Sequence, residues 1–220
     1  MTYNESLLLT GQQWNNLDEN KKLEVLQTIE NHIAFESGRL SCPVEGKFLY
    51  TGIDGIVLGT YDPASRRIYV NSSQLDSESM YGKHSDTLVT TCLHEGRHAY
   101  QHQVAEGIVH HDNSIEVETW RENLKTGNYI SYRENPRAYY DQPVEVDART
   151  FAAGRYKELI CERKNLEIDN SVDYNQARKT FETQINNQSS NDGFAADYKL
   201  VTSADLRFEI AEDTNKSIHV

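Results

Sequence analysis

Cysteine is scarce in this 220-residue chain, and the three present, Cys42, Cys92 and Cys161, form no close pair and no metal-type spacing. Their odd number argues against a disulfide framework and fits a reducing compartment of synthesis. Basic charge is also short, with 22 Lys and Arg against 34 Asp and Glu and a net charge of −12. Binding to phosphate backbones or anionic lipid depends on Lys and Arg displacing counterions, so neither nucleic acid nor membrane is an expected partner. The N-terminus has no basic leader and no apolar run beyond Leu7 to Leu9. A Sec signal or a transmembrane span is therefore not expected; the chain reads as cytoplasmic at synthesis, and any export would take a signal-less route. No nucleotide loop, no motif for an organic cofactor and no Ser or Cys nucleophile with an obvious base is found.

What is present is the composition of a folding chain. Apolar residues make up 37%, 13 residues are Tyr, and mean hydropathy is −0.71. The length suits one domain with a small appendage. Leu17, Leu23, Leu26, Ile29 and Ile33 recur at helical steps and predict an amphipathic helix over residues 14–38. Short β-prone runs follow at 48–50, 56–58 and 68–70, with the turn sequence Asp62-Pro63-Ala64-Ser65 between the last two. Helical periodicity resumes over 86–106 with Ser85 or Asp86 as N-cap, and again over 114–124. A tyrosine-rich connection then leads to Pro143, a preferred first helical residue, which predicts a helix over 143–163. A further helix is expected over 173–185 and a hairpin in the tail. The fold class expected is α+β, a small mainly antiparallel sheet packed on one long helix with further helices. The organisation expected is an N-terminal helical scaffold over 1–45, a main domain over 46–185, and a polar linker with tail over 186–220.

The chemistry is concentrated in His94-Glu95-Gly96-Arg97-His98, an HExxH motif inside the helix at 86–106. Residues four apart share a helix face about 6 Å from each other, so two imidazoles can converge on one metal ion while Glu95 reaches its water. Chance would produce the motif about 0.03 times in a chain of this composition. Imidazole with carboxylate is the usual donor set of catalytic zinc, which takes three protein ligands and keeps one position open. His102 lies eight residues beyond His94, about 12 Å along the axis, too far to join the same ion. Position 104, where the long HExxHxxGxxH pattern needs histidine, holds Val104.

Glu118, Glu145 and Asp147 are the candidates for the third ligand. Glu145 is preferred, because Ala148, Ala152 and Ala153 behind it let its helix approach another closely. Glu118 stands among the bulky Val117 and Trp120. Gly96, a poor helix former, is either simply tolerated or marks a place where a side chain would block close packing near the metal.

Gly59-Thr60-Tyr61-Asp62, Arg67 to Asn71, LHEGRHAYQ from Leu93 and PVEVDARTFA from Pro143 together resemble the zincin metallopeptidases of the HExxH-plus-Glu, gluzincin-like kind. Within that group the chain is most similar to ImmA/IrrE-type and related bacterial zincin domains. The resemblance spans Gly59 to Ala153. It implies a sheet edge strand beside the active-site helix and a third ligand from an ExxA-like element, here Glu145-Val146-Asp147-Ala148.

The function expected is hydrolysis of peptide bonds. In such a site the ion lowers the pKa of its water toward ~7 and polarises a carbonyl, while Glu95 takes the proton and passes it to the leaving amine. Candidates for the oxyanion donor are Tyr139, Tyr140, His110 and Arg137, the tyrosines first. Asp147 is a candidate to orient a ligating imidazole. The partner expected is a protein or peptide bound extended along Arg67 to Asn71. Two other readings stay open: a binding or regulatory module with a structural metal and no hydrolysis, and a toxin, effector or phage-encoded peptidase.

Overall fold

A computed structural model describes residues 1–50 and 56–171, which belong to one compact unit, Met1–Ser171. The helix expected over 173–185 and the tail hairpin lie outside the described residues. Six helices and three strands are found among those described: α1 (Tyr3–Leu9), α2 (Glu19–Glu36), β1 (Val44–Lys47), β2 (Gly59–Asp62), β3 (Arg67–Asn71), α3 (Ser85–Ala105), α4 (Ser114–Asn123), α5 (Pro136–Asp141) and α6 (Pro143–Ser171). None of these helices is long and apolar enough to cross a membrane.

The α+β class is as expected, but the sheet is mixed rather than mainly antiparallel. Its strand order is β1-β3-β2. The expected hairpin is present as β2 and β3, antiparallel across the Asp62 to Ser65 turn, where Asp62 accepts hydrogen bonds from Ala64 N and Ser65 Oγ. The third strand is β1, parallel to β3 with Val44 opposite Ile68, and Glu45 pairs with Arg67 across that ladder. The β-prone runs at 48–50 and 56–58 are not strands. Pairing falls instead on 44–47 and 59–62, because strand limits follow the β3 ladder rather than local propensity.

The helices follow their caps. The span 14–38 divides where Asp18 accepts from Lys21 N at 2.8 Å and starts α2, leaving Trp14–Asn16 as a separate 3-10 turn. His84, not Ser85 or Asp86, is the N-cap of α3 and makes no side-chain cap bond. The Ser85 hydroxyl donates instead to the Thr10 carbonyl at 2.5 Å, joining α3 to the end of α1. At the far end, α6 continues to Ser171, beyond the expected stop at 163.

Leu26, Ile29 and Ile33 of α2, Ile68 and Val70 of β3, and Leu88, Val89, Cys92 and Leu93 of α3 form the core. The helical periodicity expected over 86–106 is thus matched by one buried apolar face of α3. Against its other sides lie β2 and α6. Ala148 and Ala152 are fully buried on α6, consistent with a close approach of that helix. The loop leading into α3 is tied down by a buried lysine: the Lys22 ammonium donates to the Leu75 carbonyl, Ser77 Oγ and the Gly82 carbonyl, at 2.8, 2.8 and 3.0 Å. Trp14 Nε1 donates to that same Gly82 carbonyl at 3.1 Å.

Candidate metal centre

Three side chains from two helices converge. His94 and His98 stand one turn apart on α3, and Glu145 projects from the first turn of α6. Nε2 of His94 is 3.1 Å from Nε2 of His98, with the rings nearly perpendicular. The Glu145 carboxylate faces both, Oε2 at 3.3 Å from His94 Nε2 and Oε1 at 3.3 Å from His98 Nε2. Donors about 2.0–2.1 Å from a tetrahedral centre stand ~3.3 Å from one another. The observed separations match that figure.

The carboxylate of this cluster is buried and strongly acidic. Glu145 is 1% exposed, and its Oε2 is buried with no hydrogen-bond partner. Burial alone would raise the pKa of this carboxyl; the two imidazoles and the Tyr129 hydroxyl outweigh it and hold the group far below the usual carboxylate range. Burial would lower His98, but Glu145 and the charge of Glu95 keep it above its ordinary value. His94, His98 and Glu145 form a group able to hold a metal ion.

The other candidate ligands lie elsewhere. Glu118 is exposed and pairs with Arg121 at 3.2 Å. Asp147 forms a two-pronged pair with Arg97 at 2.8 and 3.0 Å. His102 packs its ring against Tyr61, 5.4 Å between centroids. Asp147 does not touch a ligating imidazole, as had been expected, but acts through Gln101, which bonds His98 on one side and Asp147 on the other. Gly96 does permit a close approach, though not to the metal site. A Cβ there would come within 2.9 Å of both Arg39 Nη2 and Glu30 Oε2, an ion pair buried between α2 and α3.

Glu95 is 8% exposed, and its Oε2 accepts a hydrogen bond from Tyr61 N at 2.8 Å. That N–H lies on the side of β2 turned away from β3, so the edge strand is fastened to the carboxylate between the two histidines. Gly59 makes the approach possible: a Cβ there would stand 2.5 Å from Thr91 Cγ2. His94 and Glu95 both line a cleft of about 770 Å³, which Tyr139, Tyr140 and Arg149 line as well. His110 and Arg137 do not line it; they are exposed and pair with Asp112 and Asp141. The strand Arg67 to Asn71 is not available to an extended peptide either. It is the central strand, with β1 and β2 on its two edges.

Three residues of the site were not anticipated. Tyr129 donates to Glu145 Oε1 at 2.8 Å. Gln101, wholly buried, receives His98 Nδ1 at 2.8 Å. Arg149 stacks on the Tyr140 ring and donates to the Tyr140 carbonyl. Gln101 could have been found, since it lies three residues beyond His98 on the same helix face; Tyr129 and Arg149 depend on how α5 and α6 fold back. No family model matches the chain, and no curated protein or solved structure matches it with significance.

Proposed function

We propose that the protein is a zinc-dependent hydrolase acting on peptide bonds, with His94, His98 and Glu145 holding the metal. The observation that carries this reading is the position of Glu95. A purely structural metal has no use for a carboxylate beside it that faces an open cleft, and Glu95 lines the same cleft as His94. Two imidazoles and one carboxylate are the donor set of catalytic zinc.

Zinc in such a site supplies Lewis acidity and lowers the pKa of a coordinated water. The protein's own groups do the rest. Tyr61 N fixes one oxygen of Glu95, which leaves the other to take a proton and return it to the leaving amine. Tyr139 and Tyr140 line the same cleft as this carboxylate. Burial and the charge of Glu145 push the Tyr139 phenol up, so it keeps its proton and serves as a donor to the oxyanion. An extended peptide would enter the cleft beside β2, whose outward Tyr61 N–H is already taken by Glu95, rather than along β3.

The test combines metal analysis with hydrolysis of casein and of a mixed peptide library. Wild type is expected to hold one zinc per chain and to cleave. Glu95→Gln should keep the zinc and lose cleavage by several orders of magnitude, and Glu145→Ala should lose the zinc. Full cleavage by Glu95→Gln, or zinc bound equally well by Glu145→Ala, would overturn the assignment.

A further inference from the structure

The molecule carries an overall charge of −12, yet two arginines line the cleft beside the triad. Arg149 lies one helical turn beyond Glu145 on α6, and Arg133, just before α5, lines the same cleft. The carboxylates lining it are Glu95, already bonded to Tyr61 N, and Asp86. Asp86 sits in the first turn of α3, eight residues or about 12 Å along the helix from His94.

Arg149 is held in place beside the triad. Its Nη2 is bonded to the Tyr140 carbonyl, and the guanidinium lies over the Tyr140 ring at 5.0 Å. Its Nη1 is buried without a hydrogen-bond partner and forms a long ion pair with Oε2 of Glu145 at 3.9 Å, outside hydrogen-bond range. A buried guanidinium nitrogen without a hydrogen bond is unfavourable, and a long ion pair offsets this only in part. Both oxygens of Glu145 are turned to His94 and His98 as well, so an ion held by the triad would take this carboxylate from Arg149.

Charge gives the second reason. A divalent ion in the triad is neutralised by Glu145 and Glu95, so Arg149 leaves the filled site with one positive charge in excess. Arg133 adds to this. A site so arranged is completed by an anion, and the planar fork of an arginine matches a carboxylate.

We infer that the cleft takes a ligand bearing a carboxylate close to the reacting centre, and that Arg149 is the residue that reads it. The inference rests on the triad holding a divalent ion. It assigns the substrate class as peptides with an acidic side chain or a terminal carboxylate next to the cleaved bond, despite the acidic surface of the whole protein.

The test uses the full chain loaded with Co(II), whose visible absorption reports ligands at the metal. Acetate and imidazole are titrated separately as an anionic and a neutral probe. Wild type should bind acetate at least tenfold more tightly than Arg149→Ala, with Arg149→Lys in between, while imidazole binds all three alike. Equal acetate affinity in wild type and Arg149→Ala overturns the inference, as does a parallel loss of acetate and imidazole, which would mark Arg149 as a structural prop. A wild type that takes up no Co(II) would instead remove the triad reading, and this inference with it.

Discussion

Nδ1 of His98 lies 2.8 Å from Oε1 of Gln101, one turn further along α3. The amide end of Gln101 is already committed to two acceptors, the Val144 carbonyl at 2.9 Å and the Asp147 carboxylate at 2.6 Å. Its oxygen therefore faces His98, and the imidazole carries its proton on Nδ1. The lone pair on Nε2 is left directed at the triad. Through Val144 and Asp147 the same glutamine grips α6 within two residues of Glu145, so one side chain sets both helices around the site.

Replacing Gln101 with Leu should weaken zinc binding by about 10–100-fold, the usual effect of losing a partner that orients a ligand. The Val144 carbonyl would also lose a donor, at about 1–3 kcal/mol of stability. Competition against a chromophoric chelator measures the first effect and urea unfolding the second. Zinc affinity within twofold of wild type would mean that His98 is oriented by packing alone.

Metal removal tests the triad as a whole. An ion that binds only the folded state stabilises it by about 2.7 kcal/mol at a free concentration 100 times its Kd. Adding zinc to chelator-treated wild type should thus raise its melting temperature, and adding it to His98→Ala or Glu145→Ala should not. If all three melt alike with and without zinc, the convergence of these groups has nothing to do with a metal.

The parts of this site that were legible in the sequence are those a single helix determines. His94, Glu95 and His98 are placed by spacing alone, and Pro143 with Glu145 by a helix start. Some elements left a signal that went unread: Thr2 and Glu5 form a capping box at α1, and Asn135 caps α5 ahead of Pro136 at its first turn. Others left none. The parallel pairing of β1 with β3 joins residues more than twenty positions apart, and nothing in Val44–Lys47 announces its partner. Tyr129 and Arg149 reach the triad only because α5 and α6 fold back on α3, which no local pattern encodes.

Gly59 controls how β2 meets Glu95. Substituting Val would put side-chain atoms where Thr91 now sits, since even a Cβ would come within 2.5 Å of Thr91 Cγ2 and 3.1 Å of the Tyr69 carbonyl. The strand would be pushed off α3 and the Tyr61 N–H bond to Glu95 lost. Gly59→Val should keep its zinc, since the strand supplies no ligand, but lose hydrolysis, and the Tyr61 amide should exchange with solvent faster. Unchanged protection of that amide would show that the strand tolerates the side chain and that its contact with Glu95 is not set by Gly59.

The ion pair of Arg39 and Glu30 is buried between α2 and α3, bidentate at 2.6 Å with side chains 1% and 2% exposed. Glu30 also accepts from Cys42 N at 3.0 Å, ahead of β1. Removing one partner strands a buried charge, so Arg39→Met should destabilise by about 3–5 kcal/mol, whereas Arg39→Met with Glu30→Leu should recover much of that loss. Urea unfolding of the two single variants and the double variant measures the coupling; a double variant as unstable as the sum of its singles would refute it. Because Gly96 rests on this pair, the pair also sets how closely α3 lies on α2 midway between His94 and His98. Gly96→Ala should therefore weaken zinc binding in wild type, and weaken it less in the double variant, where the two groups that its Cβ would strike are gone.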